Sequence, residues 1–214
     1  MRGLLLNYQY GMWDAVLQKI KTNTHRGGGL DTINKNPDDY KFAGILSINK
    51  SQYAEFSNVW TGAITRVIVR HLPGSFAYLQ EPVLTTHENK FYKYTDLNGH
   101  SEADAFAPLI EVAIAKGFHW QNKYYMPCEK ARFYVKFTDW KVERLNDISI
   151  VDCLAEGIKR QGDTFYFTKD NVKMFFKTPQ KAYFGLYNAV NGIKENNNPW
   201  LFSYHFQLCQ KPEL

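Results

Sequence analysis

Apolar and polar residues alternate with a period of two along much of this chain. In one segment, Phe133, Val135 and Phe137 alternate with Arg132 and Lys136, which is the pattern of a strand with one buried face. Short apolar segments bounded by turn residues predict further strands. The predicted strands cover residues 4–6, 66–70, 76–79, 90–94, 131–137, 140–145, 163–167, 172–176 and 200–208.

A helical period appears in fewer places. Met12, Val16, Leu17 and Ile20 recur at the spacing of one helix face, so a helix is predicted over residues 11–21. The other helices are predicted from cap residues or from local pattern. They cover residues 51–60, 109–115, 151–156 between an N-cap Ser149 and Gly157, and 179–190 after Thr178, with a proline at the first position.

Composition favours a sheet-rich core. Of the 214 residues, 44% are hydrophobic and 16% aromatic, mostly Phe and Tyr, which suit strands. The length is long for one domain and short for two. We therefore expect a single α+β domain over residues 1–214, in which the polar, weakly patterned residues 31–62 form an excursion from the core.

The net charge limits the classes of binding partner, and the cysteines indicate the cellular compartment. The net charge of +5 is compatible with RNA, DNA or a nucleotide, although no block of Lys and Arg occurs. Cys128, Cys153 and Cys209 are scattered, which indicates a reduced, cytoplasmic protein. No apolar run is long enough for a membrane span, and the first residues do not resemble a signal peptide. We expect no membrane contact, no cofactor and no metal, because the histidines lack metal-site spacing.

Several sequence blocks, in this order, resemble the ASCH family of the PUA-like superfamily, as found on phage and prophage genomes. The order and spacing of the blocks are more specific than any one of them. The blocks are Lys21-Thr22-x-Thr24-x-Arg26, Met126-Pro127 leading into Val142-Glu143-Arg144-Leu145-x-Asp147-Ile148-Ser149, then Ala155-Glu156-Gly157-Ile158, and finally Asn198-Pro199-Trp200. The family usually has an acid and a base where this chain has Ser75 and Gln80.

The resemblance implies a fold and an activity. The fold would be a PUA-like mixed β-barrel with peripheral helices. ASCH proteins are similar to RNA-binding domains, and one bacterial branch hydrolyses the acyl amide of N4-acetylated cytidine without a metal. Its catalytic lysine, threonine and glutamate correspond to Lys21, Thr24 and Glu156. The implied partner is therefore RNA, a nucleoside or a nucleotide in a bacterial host cell; the oligomeric state stays open.

This chemistry assigns a role to each matched residue. Thr24 would supply a nucleophilic hydroxyl, and Lys21 would accept its proton or stabilise the oxyanion. Glu156 would protonate the leaving amine or hold the base, and Arg26 would bind a phosphate or a ring carbonyl. The structural alternatives are a lysine at a helix end, a threonine in a local turn and a solvated glutamate on a surface helix.

Other residues are candidates for ligand contact. The backbone N–H groups of Gly27 and Gly28 lie beside the motif, and His25 is the histidine nearest to it. Tyr124 and Tyr125 are candidates for stacking on a base. Three functions remain open from the sequence: an amidohydrolase on an acylated base, a non-catalytic RNA-binding phage accessory protein, and a structural or interaction protein that keeps only the fold.

Overall fold

A computed structural model describes residues 1–93, 103–170, 172–192 and 198–213. Strands outnumber helices in the described residues, so the predicted α+β class is confirmed. The α-helices are α1 Met12–Leu17, α2 Ala103–Ala115, α3 Ile150–Ala155 and α4 Pro179–Asn191. The strands are β1 Arg2–Leu5, β2 Asn23–Arg26, β3 Tyr40–Ile48, β4 Ser51–Asn58, β5 Ile64–Ile68, β6 Phe76–Gln80, β7 Val83–Thr85, β8 Lys90–Tyr92, β9 Tyr134–Arg144, β10 Lys159–Gln161, β11 Thr164–Lys169, β12 Val172–Phe176 and β13 Trp200–Cys209.

The chain forms two compact units, each built from separate segments. The first unit comprises residues 1–8, 76–135 and 209–214. In it, β1 and β6 pair in parallel, β7 and β8 form an antiparallel hairpin, and α2 follows. Its buried side chains pack in two apolar clusters, one around Tyr78 and Tyr134 and the other around Leu84 and Ile110.

The second unit comprises residues 9–75 and 136–208. Here β13 lies between β9 and β2 and pairs antiparallel with β2. Two three-stranded sheets, β3–β4–β5 and β10–β11–β12, complete the strands of this unit. Within the described residues, the strand pairings close none of the sheets into a ring. The prediction of one domain over residues 1–214 stays a prediction.

One face of β13 is covered by the helices α3 and α4. Leu201 on this face packs in a buried apolar cluster with Cys153 of α3 and with Tyr183 and Leu186 of α4. Burying such side chains stabilises the fold by about 1.5–3 kcal/mol each. The other face is aromatic, and its contacts join Phe137, Phe202, Tyr204 and Phe206.

The helix predicted over residues 51–60 is wrong. This segment is the strand β4, which is central in the sheet β3–β4–β5. Ala54 and Phe56 are fully buried, whereas their neighbours Tyr53 and Glu55 are only partly buried. This period of two is that of a strand, and the polar composition of residues 31–62 concealed it. The described structure therefore contains an ordered sheet within the predicted excursion.

The helix predicted over residues 11–21 is shorter than expected. α1 ends at Leu17, and Lys19 has a left-handed φ of 59°. Ile20, a member of the predicted apolar face, is 38% exposed. Lys21 therefore lies beyond the helix and does not occupy the helix end that the structural alternative required.

The remaining predicted elements are observed, with two differences in their bounds. The strands predicted over residues 131–137 and 140–145 form one continuous strand, β9, and the helix predicted over residues 109–115 already begins at Ala103. The hairpin β11–β12 pairs as expected. α3 and α4 begin after N-caps Ser149 and Thr178, whose side chains accept hydrogen bonds from the backbone N–H groups of Asp152 and Lys181. The predicted strand over residues 90–94 is observed as β8, and its last residue, Tyr94, lies outside the described residues. No helix among the described residues is long and apolar enough to cross a membrane.

Candidate functional site

The Lys-Thr-x-Thr-x-Arg segment enters the second unit as the edge strand β2. Successive side chains of a strand point to opposite faces of its sheet. Asn23 and His25 therefore share one face, and Thr24 and Arg26 share the other. Pairing with β13 sets His25 opposite Ser203. The first face is the one that α3 and α4 cover.

Helix α3 carries Glu156 to this face. Ser149 caps its first turn, and Glu156 is its C-cap residue. The chain then reverses at Gly157, whose φ of 103° is in the left-handed region that favours glycine. Glu156 is only 4% exposed, so it is not the solvated surface glutamate that the structural alternative described.

Lys21 and Glu156 are in direct contact, although they lie 135 residues apart in sequence. The Lys21 ammonium donates to Glu156 Oε2, to the Glu156 backbone oxygen at 3.1 Å and to the Asn23 backbone oxygen at 2.8 Å. All three of its N–H groups are thereby used, in a residue that is 1% exposed. The structure thus brings together two of the three predicted catalytic residues.

His25 links Glu156 to a second carboxylate. Its backbone N–H donates to Glu156 Oε1 at 2.5 Å, and its ring Nδ1 lies 2.7 Å from the same oxygen. Its Nε2 lies 2.9 Å from Glu143 Oε1, and the Tyr183 ring packs against it with centroids 5.4 Å apart. Because both ring nitrogens contact carboxylates, a ligand could reach one only by displacing a carboxylate.

The contacts continue from Glu143 towards the surface. Lys141 Nζ lies 3.1 Å from Glu143 Oε2 and donates to Asp152 Oδ2 at 2.7 Å. Asn23 Nδ2 donates to Asp152 Oδ1 at 3.2 Å, and the Lys141 side chain is 42% exposed. Six charged groups of alternating sign therefore form one connected series, which starts in the interior and reaches solvent at Lys141. In order, this charged chain is Lys21, Glu156, His25, Glu143, Lys141 and Asp152.

Burial and pairing shift the pKa values of this charged chain in different directions. Burial lowers the pKa of Lys21, although the Glu156 carboxylate favours its charged form. For Glu156, burial alone would raise the pKa, but Lys21 and His25 outweigh it and lower the pKa to about 2. For His25, burial alone would lower the pKa, but hydrogen bonds to Glu143 and Glu156 outweigh it and raise the pKa. Glu156 is therefore ionised at neutral pH.

No family model, curated protein or solved structure matches the chain. Among the described residues, no three His, Cys, Asp or Glu side chains converge in a way that could hold a metal ion.

Thr24 and Arg26 point to the aromatic face of the sheet. Thr24 is 4% exposed and pairs with Tyr204 of β13. Arg26 is partly buried and interacts electrostatically with Glu156; loss of water around its guanidinium lowers its pKa, against the attraction of that carboxylate. Strand geometry therefore separates the Thr24 hydroxyl from the side of β2 that carries His25.

An open pocket of roughly 370 Å³ lies beside the glycine loop. Gly27 and Gly28 line it, and the Arg70 guanidinium lies close to Gly28. Tyr187 of α4 lines the pocket on the side of the charged chain, and burial raises the pKa of its hydroxyl to about 12. The other lining residues are Asp31, Asn34, Lys35, Asn191 and Pro199.

Tyr124 and Tyr125 belong to the first unit. They are 62% and 82% exposed, in a short 3₁₀ helix. The nearby Gln80, which stands where the family has a base, donates to the backbone oxygens of Lys123 and Tyr124 at 3.2 and 3.4 Å. Ser75, which stands where the family has an acid, donates to the Leu72 oxygen at 2.6 Å in a turn. Both side chains therefore hydrogen-bond to backbone, Ser75 within its own turn and Gln80 to a segment 43 and 44 residues later.

Sequence analysis did not single out Glu143, Lys141 or Asp152 as site residues. Glu143 and Lys141 are two residues apart on β9, so their side chains share a face of the strand. This spacing is the feature of the sequence that places the two side chains together. Asp152 was visible only as an acid in the first turn of α3, where the helix dipole accounts for it. Long-range packing, not local pattern, joins these residues to Glu156.

The turn at Gly157 is needed to hold Glu156 in place. A side chain there would be strained at a φ of 103°, so we expect Gly157→Ala to lower the free energy of unfolding by about 1–2 kcal/mol. Urea unfolding followed by circular dichroism measures the change. Gly27→Ala is the matched control, because its added Cβ would meet no atom closer than 3.8 Å. Equal losses in the two variants would contradict this role for Gly157.

Proposed function

We propose that this protein is a metal-free amidohydrolase acting on an acylated nucleobase, and that it has the PUA-like fold and the ASCH membership that its motifs suggest. The observation that carries the proposal is the buried contact between Lys21 and Glu156. Taking such charges out of water is costly, and groups with shifted pKa values cluster at functional sites. The free state of all three cysteines supports a cytoplasmic location.

The charged chain supplies the acid–base chemistry of amide hydrolysis. Lys21 in its neutral amine form, which burial favours by lowering its pKa, takes a proton from an attacking water molecule, since the Thr24 hydroxyl lies on the other face of β2. The new C–O bond forms at the acyl carbon, and Arg26 stabilises the oxyanion. The C–N bond then breaks as the leaving amine receives that proton. The products are the free base and a carboxylic acid.

The pocket beside Gly27 and Gly28 supplies the ligand site. Its volume of roughly 370 Å³ suits a nucleoside-sized molecule. Lys35 in its lining and Arg70 near Gly28 provide positive charge for a phosphate. Tyr187 lines this pocket and interacts electrostatically with Glu156, so it is the lining residue linked to the charged chain.

Mass spectrometry of a turnover reaction tests the proposal. The full chain is incubated with N4-acetylcytidine and other acylated nucleosides, beside Lys21→Met, which keeps the length of the side chain but not its amine. We expect release of the free nucleoside by the wild type and at least about a 100-fold loss in the variant. Lys173→Met, at an exposed position, is the control. No release by the wild type, or equal release by Lys21→Met, would overturn the proposal.

A second candidate function is RNA binding without turnover. It is favoured by the low exposure of Lys21 and Glu156, 1% and 4%, and by the position of Thr24 on the opposite face of β2. This function predicts RNA affinity that falls steeply as salt is raised, because phosphate contacts release counterions. It also predicts that Lys35→Ala with Arg70→Ala weakens binding, whereas Lys21→Met leaves it unchanged.

A further inference from the structure

Glu143 is a buried carboxylate for which the proposed reaction has no direct use. Its side chain is 10% exposed, and it lies on β9, whereas the contact between Lys21 and Glu156 joins the start of β2 to α3. A carboxylate buried beside His25 and Lys141 is costly unless both contacts are made. The burial of Glu143 between these two cationic side chains therefore indicates a function for this carboxylate.

The contacts of His25 define that role. One ring nitrogen meets Glu143 at 2.9 Å and the other meets Glu156 at 2.7 Å. Each ring nitrogen donates to the carboxylate oxygen beside it, and a ring with two N–H donors is an imidazolium. The ring is also fixed in plane, because the Tyr183 ring packs against it and its own backbone N–H binds Glu156. Glu143 thus acts on Glu156 through one rigid ring.

We propose that Glu143 and His25 are the positioning residues of this site: Glu143 holds His25 as an imidazolium, and His25 holds the Glu156 carboxylate in contact with Lys21. A carboxylate that binds the second ring nitrogen of a histidine sets the orientation and the charge of the ring. Lys141, in turn, neutralises Glu143 from the solvent side at 3.1 Å. The catalytic meaning of this assignment rests on the proposed function; the charge state of His25 does not.

Several elements place ionisable groups around His25, and each contributes to its titration. Glu143 on β9 and Glu156 on α3 touch the ring and favour its charged form. Tyr183 on α4 packs on it and stays neutral, because burial raises its pKa well above the usual range. The further charged groups are Lys21, Arg26, Lys141 and Asp152, which reach His25 through Glu156 or Glu143.

Nitrogen NMR of the histidine rings in the full chain tests the assignment. His25 is identified by the signal lost in His25→Gln. In the wild type we expect both ring nitrogens of His25 to stay protonated above pH 6.5, the ordinary histidine value, because the pKa of His25 is raised. Glu143→Gln should make His25 lose its proton at least about one pH unit lower, and Glu143→Asp should restore part of that shift. Glu55→Gln, on the exposed ion pair with Arg66, should change nothing.

Kinetics with N4-acetylcytidine form the second arm. Glu143→Gln should lower kcat about tenfold and shift its pH profile, with KM unchanged. If the wild type turns over no substrate, the proposed function fails, and the NMR arm alone decides the assignment. If the wild type is active but His25 loses its proton at or below pH 6.5, or Glu143→Gln leaves the His25 signal unchanged, the assignment is overturned while the function stands.

Discussion

Replacing Glu156 by alanine should lower the free energy of unfolding by about 3–5 kcal/mol. The carboxylate accepts from the Lys21 ammonium, the His25 backbone N–H and the His25 ring. Removing it leaves two buried cationic groups facing each other without their shared counter-charge. The result should be a clear fall in the urea midpoint with the slope of the transition unchanged.

Matched variants separate this effect from the simple loss of side-chain volume. Glu156→Gln keeps the shape and one acceptor oxygen, so its cost should lie between zero and that of alanine. Glu111→Ala, at an exposed position on α2, should change stability by no more than about 0.5 kcal/mol. Glu156→Ala costing no more than Glu111→Ala would show that the charges near Glu156 need no counter-charge.

A double-mutant cycle extends the test. Lys21→Met alone leaves the Glu156 carboxylate with His25 as its only cationic contact in the charged chain, so it should also destabilise the fold. Combining it with Glu156→Ala removes both members of the pair, and the double variant should cost clearly less than the sum of the two singles. Additive costs would mean that the Lys21–Glu156 contact contributes nothing to stability.

The second large effect is expected in acid. The pKa of Glu156 is lowered from 4.5 to about 2 in the folded state. A carboxylate with a depressed folded pKa stabilises the fold above its unfolded pKa and loses that contribution as pH falls through the folded pKa. The stability that Glu156 contributes should therefore disappear between about pH 4.5 and pH 2, an effect on the order of 3 kcal/mol. Asp152, whose pKa is also lowered, adds to it in the same direction.

His25 should contribute to the pH dependence of stability at the alkaline side, whereas Glu156 does so in acid. Its folded pKa is raised, so its contribution is complete below about pH 6.5, the unfolded value, and is lost as pH rises through the folded pKa. Urea unfolding from pH 2.5 to pH 9 should therefore give a maximum between the two ranges. Glu156→Gln should flatten the acid limb, and Glu143→Gln the alkaline limb. An acid limb of the same size in Glu156→Gln would contradict the assignment.

The exposed face of the sheet β3–β4–β5 is compatible with the third function considered from the sequence, that of a structural or interaction protein. Ile48, Ile64 and Ile68 are 47%, 49% and 46% exposed on the same face of this sheet. This apolar face is separate from the charged chain. A variant that removes turnover or RNA binding would leave this surface intact, so the two kinds of function can be tested independently.

Much of the local structure could be predicted because it depends on short-range chemistry. The caps Ser149 and Thr178 mark α3 and α4, and the alternation after Arg132 marks β9. The segment 51–60 was predicted wrongly because its polar residues hide a period of two that only the neighbouring strands make meaningful. The helix over 11–21 was predicted too long because apolar spacing continues past the residue, Lys19, where the backbone turns left-handed.

The sequence by itself determined the α+β class, the helices α3 and α4 and the residues that carry ionisable chemistry near the motif, but not the strands β2, β3 and β4. Tertiary structure alone decided which of those residues meet. Lys21 and Glu156 are joined across 135 residues by the packing of α3 against β2, and Glu143 joins them only because β9, β13 and β2 are neighbours in one sheet. The alternation of residues within a strand predicts which side chains share a face of that strand. Which side chains of different strands share a face depends on strand register, and register depends on the whole buried core.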